Sequence, residues 1–196
     1  MDAHVATQLM HMSMLRLADF LFGSNDPISA KSVLSRLFVQ PRNRFSYQFA
    51  DIAEVNGKAA GLLLSYPGRT MQHLEIPMGG QMVEILGVVG FARFVRRSLP
   101  LVFRREAQAD EYFINTLAVL PECQEAGIGT HLLIVAEEKA KAASLRKCSL
   151  SVETGNYRAR SLYERLGYRV VHTTRLNRLE RLIGYTGFYR MVKVIV

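Results

Sequence analysis

Apolar positions recur at helical spacing from the start of the chain. Met10, Met14, Leu17 and Leu21 mark one face of a helix over residues 7–22, and Gly23 stands where that helix would stop. Asp26 before Pro27 has the form of an N-cap with a first-turn proline, and Val33, Leu34, Leu37 and Phe38 then predict a second helix ending before Pro41. The rhythm changes over 47–54 and 59–66 to that of strands, separated by Val55-Asn56-Gly57-Lys58. Asn-Gly is the strongest short hairpin signal, so the two runs are expected to pair antiparallel. Residues 67–80 are punctuated by glycine and proline, after which 81–97 resumes helical apolar spacing and leads into a basic stretch that includes Arg93, Arg96, Arg97, Arg104 and Arg105. This stretch is expected to be a helical insertion over the sheet, at about 81–105. Its most apolar window, 82–95, is interrupted by Glu84 and Arg93 and is shorter than the roughly 20 residues of a membrane span, which predicts a buried helix and no stable membrane insertion.

The second half follows a different order. An apolar strand over 112–120, a helix over 129–143 and a strand over 147–153 make a βαβ unit, expected to cross over right-handed. Asn156 is a good N-cap for a helix over 157–166, and Gly167 follows where that helix turns off. Strands around 168–172 and 188–194 would close the sheet. No linker or repeat interrupts the chain, so residues 1–196 are expected to form one domain.

Composition narrows the class. A chain of 196 residues, 49% apolar and 21% charged, suits one folded domain with a substantial core and argues against disorder. Its 25 Lys and Arg against 17 Asp and Glu leave a net charge of +8, which favours anionic partners such as phosphorylated cofactors, nucleic acid or acidic membrane surfaces. Its arginines are not interleaved with aromatics as in a recognised nucleic-acid module, and no nucleic-acid partner is expected. Cys123 and Cys148 make neither a metal pattern nor a disulfide framework, and the first residues lack the features of a signal peptide. A cytoplasmic protein is expected, with neither cysteine a nucleophile. His4, His11, His73, His131 and His172 show no zinc-like spacing, so no metal is expected.

The candidate chemistry begins between the strand and helix of the βαβ unit, at Gln124-Glu125-Ala126-Gly127-Ile128-Gly129-Thr130. Two glycines allow a tight turn there, and unpaired N–H groups at the helix start, backed by the helix dipole, favour a phosphate or diphosphate against Gly127 to Thr130. Gly129 is followed by Thr130 and His131 instead of Lys-Ser/Thr, and a third glycine is missing, so neither a nucleotide-hydrolase loop nor a dinucleotide fingerprint is present.

Leu117-Ala118-Val119-Leu120-Pro121 followed by Gln124-x-x-Gly127-x-Gly129 resembles the acetyl-CoA motif of the GNAT superfamily, Arg/Gln-x-x-Gly-x-Gly/Ala. The resemblance continues through Leu150-Ser151-Val152-Glu153, Asn156, Ala159, Leu162-Tyr163-Glu164 and Leu166-Gly167-Tyr168. It covers 112–171 closely, and the Asn56-Gly57 hairpin and Tyr189-Arg190-Met191-Val192-Lys193 more loosely. It implies the α/β (α+β) acyl-CoA N-acyltransferase fold: a mixed, mostly antiparallel central sheet with a splayed parallel strand pair, flanked by helices. It implies an N-acetyltransferase that takes acetyl-CoA as cosubstrate, with unpaired backbone at Leu117, Ala118 and Val119 bonding the pantetheine amides. Ligands of α/β sheets do sit beyond the carboxyl ends of parallel strands. The family often has glycine where Glu125 stands, and a negative charge there is unhelpful to a diphosphate unless it points away. The short N-terminus leaves little room for the family's opening strand.

Asn156 and Tyr163 are seven residues apart, about two helical turns, and so lie along one helix face. By the resemblance Asn156 and Ala159 lie against the coenzyme, and Tyr163 sits near its sulfur as general acid to the departing thiolate. The bland reading is that Asn156 only caps and Tyr163 only packs. Arg158, Arg160 and Arg165 flank that helix, with Arg160 the preferred phosphate contact. Attack by an amine needs a proton acceptor, for which Glu153 and Glu111 are the candidates, Glu84 is a third, and a water chain would serve instead. N–H groups near Val119 would polarise the thioester oxygen. The expected partners are acetyl-CoA and a primary amine, with a homodimer left open. The amine is expected on a small molecule, the alternatives being a protein or peptide amine, or a noncatalytic acyl-CoA-binding sensor.

Overall fold

A computed structural model describes residues 3–14, 16–23, 28–101 and 106–195. Helices α1 (Ala3–Met14) and α2 (Arg16–Phe22) flank Leu15, where the apolar spacing predicts one helix over 7–22. Leu15 itself lies outside the described residues, as do Asp26 and Pro27, the expected cap and first-turn proline, and Arg104 and Arg105 of the basic stretch. The cap of α3 (Ala30–Phe38) is Ser29, whose hydroxyl accepts the Ser32 N–H at 3.2 Å. Val33, Leu34, Leu37 and Phe38 are buried on one side of that helix, as their spacing predicts.

The hairpin joins β1 (Ala50–Val55) to β2 (Lys58–Pro67) through Asn56 and Gly57, both at positive φ (52° and 72°), the type I′ geometry that Asn-Gly favours. β1 starts three residues later than the pattern suggests, because the Ser46 hydroxyl accepts the Gln48 N–H and holds Tyr47–Phe49 in a 3-10 turn. After β2 the chain enters α4 (Gly68–Ser98), so the helix expected from residue 81 begins at Gly68 and carries Pro77 within it. At Gly87 the backbone leaves helical geometry (φ 70°, ψ 169°), which kinks the element.

The second half follows the expected order: β3 (Tyr112–Val119), α5 (Ile128–Ala142), β4 (Lys147–Glu153), α6 (Tyr157–Arg165), β5 (Arg169–Arg175), α7 (Asn177–Ile183) and β6 (Gly187–Val194). The sheet order is β1-β2-β3-β4-β6-β5, antiparallel throughout except for the parallel pair β3 and β4. No strand precedes β1 among the described residues. α7 escapes pattern reading because its seven residues bury only Leu179.

Period-two alternation divides the core between the two faces of the sheet. Leu62 and Leu64 pack with α1 to α4 and α7, whereas Leu63, Cys148, Leu150, Val152 and Met191 pack with α5 and α6. Each such leucine, fully buried, contributes roughly 1.5–3 kcal/mol of transfer free energy. α4 departs from expectation here. It is not a buried helix: Leu74, Met82 and Ile85 reach the core, but Val88 and Val89 are 73% and 67% exposed. Together with the 3-10 turn Leu99–Leu101, the 34 residues of Gly68–Leu101 are long and apolar enough, by length and composition alone, to cross a membrane. The 82–95 window alone underestimates that length.

Candidate active site

The site begins where two parallel strands part. β3 and β4 pair only at Tyr112 with Cys148, Phe113 with Ser149 and Ile114 with Leu150, although β3 runs on to Val119 and β4 to Glu153. A bulge marks the place. Ser65 pairs with Ile114 and Leu64 with Thr116, so Asn115 is an extra residue in β3, and such a residue bends its strand away from regular pairing. Partly buried polar groups hold the bulge. The Asn115 carboxamide oxygen accepts from Arg44 Nε at 3.2 Å and Nη2 at 3.0 Å and from the Tyr66 hydroxyl at 3.3 Å, while its Nδ2 donates to the Arg44 carbonyl at 3.1 Å. Arg44 is also paired with Glu106. Burial opposes the Arg44 charge, but the Glu106 carboxylate outweighs it and holds the guanidinium above its usual range. Burial pushes the Tyr66 phenol up to about 12.

A cavity of about 1370 Å³ passes through this gap from one face of the sheet to the other. At its α5 end lie Leu117, Ala118, Val119, Gln124, Glu125, Gly127, Ile128, Gly129 and Thr130. Gly127 precedes α5 in the left-handed region (φ 79°), where a side chain would be strained, and no side chain caps the helix. The first-turn N–H groups therefore stay available to an anion. The Gln124 side-chain amide donates to the Val119 carbonyl at 3.0 Å and ties the turn to the end of β3. Glu125 also has positive φ, and its carboxylate lies 3.0 Å from Arg158. That pairing offsets the charge which, from sequence, counts against a diphosphate.

α6 supplies the next wall. The Asn156 carboxamide accepts the Ala159 N–H at 3.1 Å, so it does cap, and it also lines the cavity with Ala159 and Tyr163. The Tyr163 ring packs 6.1 Å from that of Tyr168, and burial alone pushes its phenol up to about 12. Its hydroxyl has no hydrogen-bond partner among the described residues and remains a neutral donor at the cavity.

β4 supplies the opposite polarity. Cys148, Leu150 and Val152 pack on the α5 and α6 side, so Ser149, Ser151 and Glu153 face α1 to α4. Ser151 and Glu153 line the cavity, and the Ser151 hydroxyl is without a partner among the described residues. Burial raises the Glu153 carboxyl, with a smaller opposing effect from Arg16.

Other candidates lie elsewhere. Glu111 is 2% exposed, paired with Arg190 and bonded to the Gln108 N–H at 2.9 Å, and it does not line the cavity. Glu84 is exposed on α4 and also outside it. Arg160 turns away, bound to Glu164 at 2.8 Å and stacked 4.5 Å from the Tyr189 ring centre, whereas Arg158 and Arg165 line the cavity. Ala126 faces a second, smaller groove between β1 and α5. Cys148 is buried and its thiol is pushed up to about 12 by that burial. Sequence reasoning missed Arg44, Glu106 and Asn115, which stand outside any motif, and gave no role to Ser151, which lies within the run Leu150 to Glu153. Only the bulge and the fold assemble them.

Residues 14–168 match the family model described as Acetyltransferase (GNAT) family. A crystal structure of an acetyltransferase is 24% identical, with 100% of this chain and 95% of that one covered at a TM-score of 0.69. N-acetyltransferase from Staphylococcus aureus Mu50 is 21% identical, covering 97% of this chain and 94% of its own at 0.66. Ard1 from Thermoplasma volcanium is 12% identical, covering 98% and 93% at 0.54. These three likenesses show a shared fold. A search of curated proteins finds no match.

Proposed function

The chain belongs to the GNAT acetyltransferase family, and from that premise we propose that it transfers the acetyl group of acetyl-CoA to a primary amine on a small molecule by direct attack. The observation that carries this reading is the gap between β3 and β4. It joins an anion-ready helix start on one face to Glu153 on the other. In this reading the coenzyme's diphosphate lies against the N–H groups of Gly127 to Thr130. Its pantetheine amides bond the unpaired edge Leu117 to Val119, and Asn156 and Ala159 lie alongside. Arg165 replaces Arg160 as the phosphate contact, and Arg158 beside it holds the Glu125 carboxylate.

The amine then approaches from the α1 to α4 side. An alkylamine with a pKa near 10.4 is neutral in only about one molecule in a few thousand at pH 7. Glu153, made more basic by burial, is the proposed proton acceptor. The new C–N bond forms as nitrogen attacks, the C–S bond breaks, and the proton lost by nitrogen ends on sulfur. Tyr163 is the proposed donor to the departing thiolate. With its phenol at about 12, above an ordinary thiol near 8.5, it supplies a hydrogen bond while the net proton comes from the nitrogen. The proposed compartment is the cytoplasm, in keeping with two free cysteines.

The test mixes protein and acetyl-CoA with separate panels of small amines and peptides, following thiol release and amide mass. Thiol release with small amines is expected. Coenzyme binding without transfer to either panel would instead favour the noncatalytic sensor, and transfer confined to peptides would overturn the small-molecule assignment.

A further inference from the structure

Beyond Glu153 the cavity continues beneath α4, and its character changes. Phe22 stacks on Phe94 with ring centres 5.6 Å apart and planes within 5°, and Phe91 lies 6.3 Å from Phe94. Leu21, Met78 and Met82 complete this end. Four acids line the cavity: Glu106 is paired with Arg44, Glu125 with Arg158, Glu75 sits exposed at the rim on α4, and Glu153 is half-buried at the end of β4. One half-buried carboxylate, Glu153, is thus left beside an apolar chamber. A polycation would need several such acids. An anionic acceptor would need a free interior cation, and Arg44 is already engaged. The volume also exceeds the roughly 300–1,000 Å³ usual for one ligand, which leaves room for a second body beside the coenzyme arm.

We infer that the acceptor is a primary amine on an apolar body, aliphatic or aromatic, with its nitrogen at Glu153 and its body beneath α4 against Phe91, Phe94 and Met78. This rests on the acetyltransferase reading of the same site. Methionines at the wall adapt to different shapes, so several apolar bodies should be accepted.

The experiment measures calorimetric affinity of the CoA-saturated protein for propylamine, hexylamine, phenylethylamine, spermidine and a tripeptide with an apolar first residue, and in parallel thiol release from acetyl-CoA with each. Affinity is expected to rise about fourfold for each added methylene, with spermidine and the tripeptide weakest. Phe91→Ala and Met78→Gln, both at half-buried positions, should each cut the hexylamine-to-propylamine ratio by roughly tenfold, with coenzyme affinity monitoring the fold. A flat series, or one led by spermidine or the tripeptide, overturns the inference. The expected order of binding without thiol release refutes acetyl transfer and leaves the pocket's preference for apolar amines standing.

Discussion

Glu153 ends β4 with a carboxyl whose proton affinity is raised by burial, and two consequences of opposite sign follow. As a base it acts only when ionised, so kcat/KM should rise with pH through a limb lying above the ordinary glutamate value of about 4.3. Glu153→Gln should lower kcat/KM by about 10²–10⁴ and abolish that limb in a pH–rate profile. For stability, a folded-state pKa above the unfolded one favours the protonated form. That contribution is complete below the unfolded pKa and is lost as pH rises through the folded value. Glu153→Gln should therefore raise the urea midpoint at neutral pH, and a fall would show that the carboxylate has a structural partner. Tyr163→Phe keeps the ring against Tyr168 and removes only the hydroxyl, so kcat should drop about a hundredfold with the urea midpoint little changed. Undiminished turnover would assign the sulfur a different donor.

At the scale of elements, Glu111 and Arg190 join the start of β3 to β6. Their side chains are 2% and 8% exposed, and Arg190 Nε also donates to the Glu106 carbonyl at 3.2 Å. Removing one partner strands a buried charge, so Arg190→Met should cost about 3–5 kcal/mol, and adding Glu111→Leu should recover a large part of it. Urea denaturation of the two single variants and the double variant measures the coupling. A loss in Glu111→Gln confined to kcat, with stability intact, would return Glu111 to the chemistry. The bulge at Asn115 belongs to the same scale. It turns a regular strand into the edge of a gap, and Arg44, Glu106 and Tyr66 hold it there.

Over the whole molecule, burial of titratable groups sets the alkaline limit of stability. Tyr66 and Tyr163 are held at about 12, and Tyr168 and Tyr112 are also raised, all chiefly by burial; Cys148 is held at about 12 as well. Unfolding releases these groups to ionise at their ordinary values, about 10 for tyrosine and 8.5 for cysteine. The folded state then binds more protons than the unfolded state, so stability falls as pH rises through that window. By pH 11 the loss should be on the order of 1 kcal/mol for each of Tyr66 and Tyr163. Urea midpoints measured from about pH 8 to 11 should decline, with the share of tyrosinate absorbance that belongs to the buried phenols appearing only on unfolding; a flat profile would show these phenols to be solvated.

Local rules made much of this legible without a fold. Asn56-Gly57 dictates its turn because only certain residues tolerate positive φ in succession, and Asn156 and Gly127 announce a helix cap and a helix start through their own backbone chemistry. Most of the residues that the motifs single out between Leu117 and Tyr163 line the cavity, with Ala126 and Arg160 among the exceptions, because each short run carries its own turn or cap. Tertiary structure decided the rest. Whether Glu153 or Glu111 faces the gap depends on the parity of β4 and on Arg190, which is distant in sequence. Whether Arg158 or Arg160 lines the cavity depends on which way α6 is rolled. α4 shows the limit most plainly: an apolar run carries the same pattern whether a core or an exposed kinked helix receives it, because hydrophobic spacing records only what can be buried, and the packing of other elements determines what is.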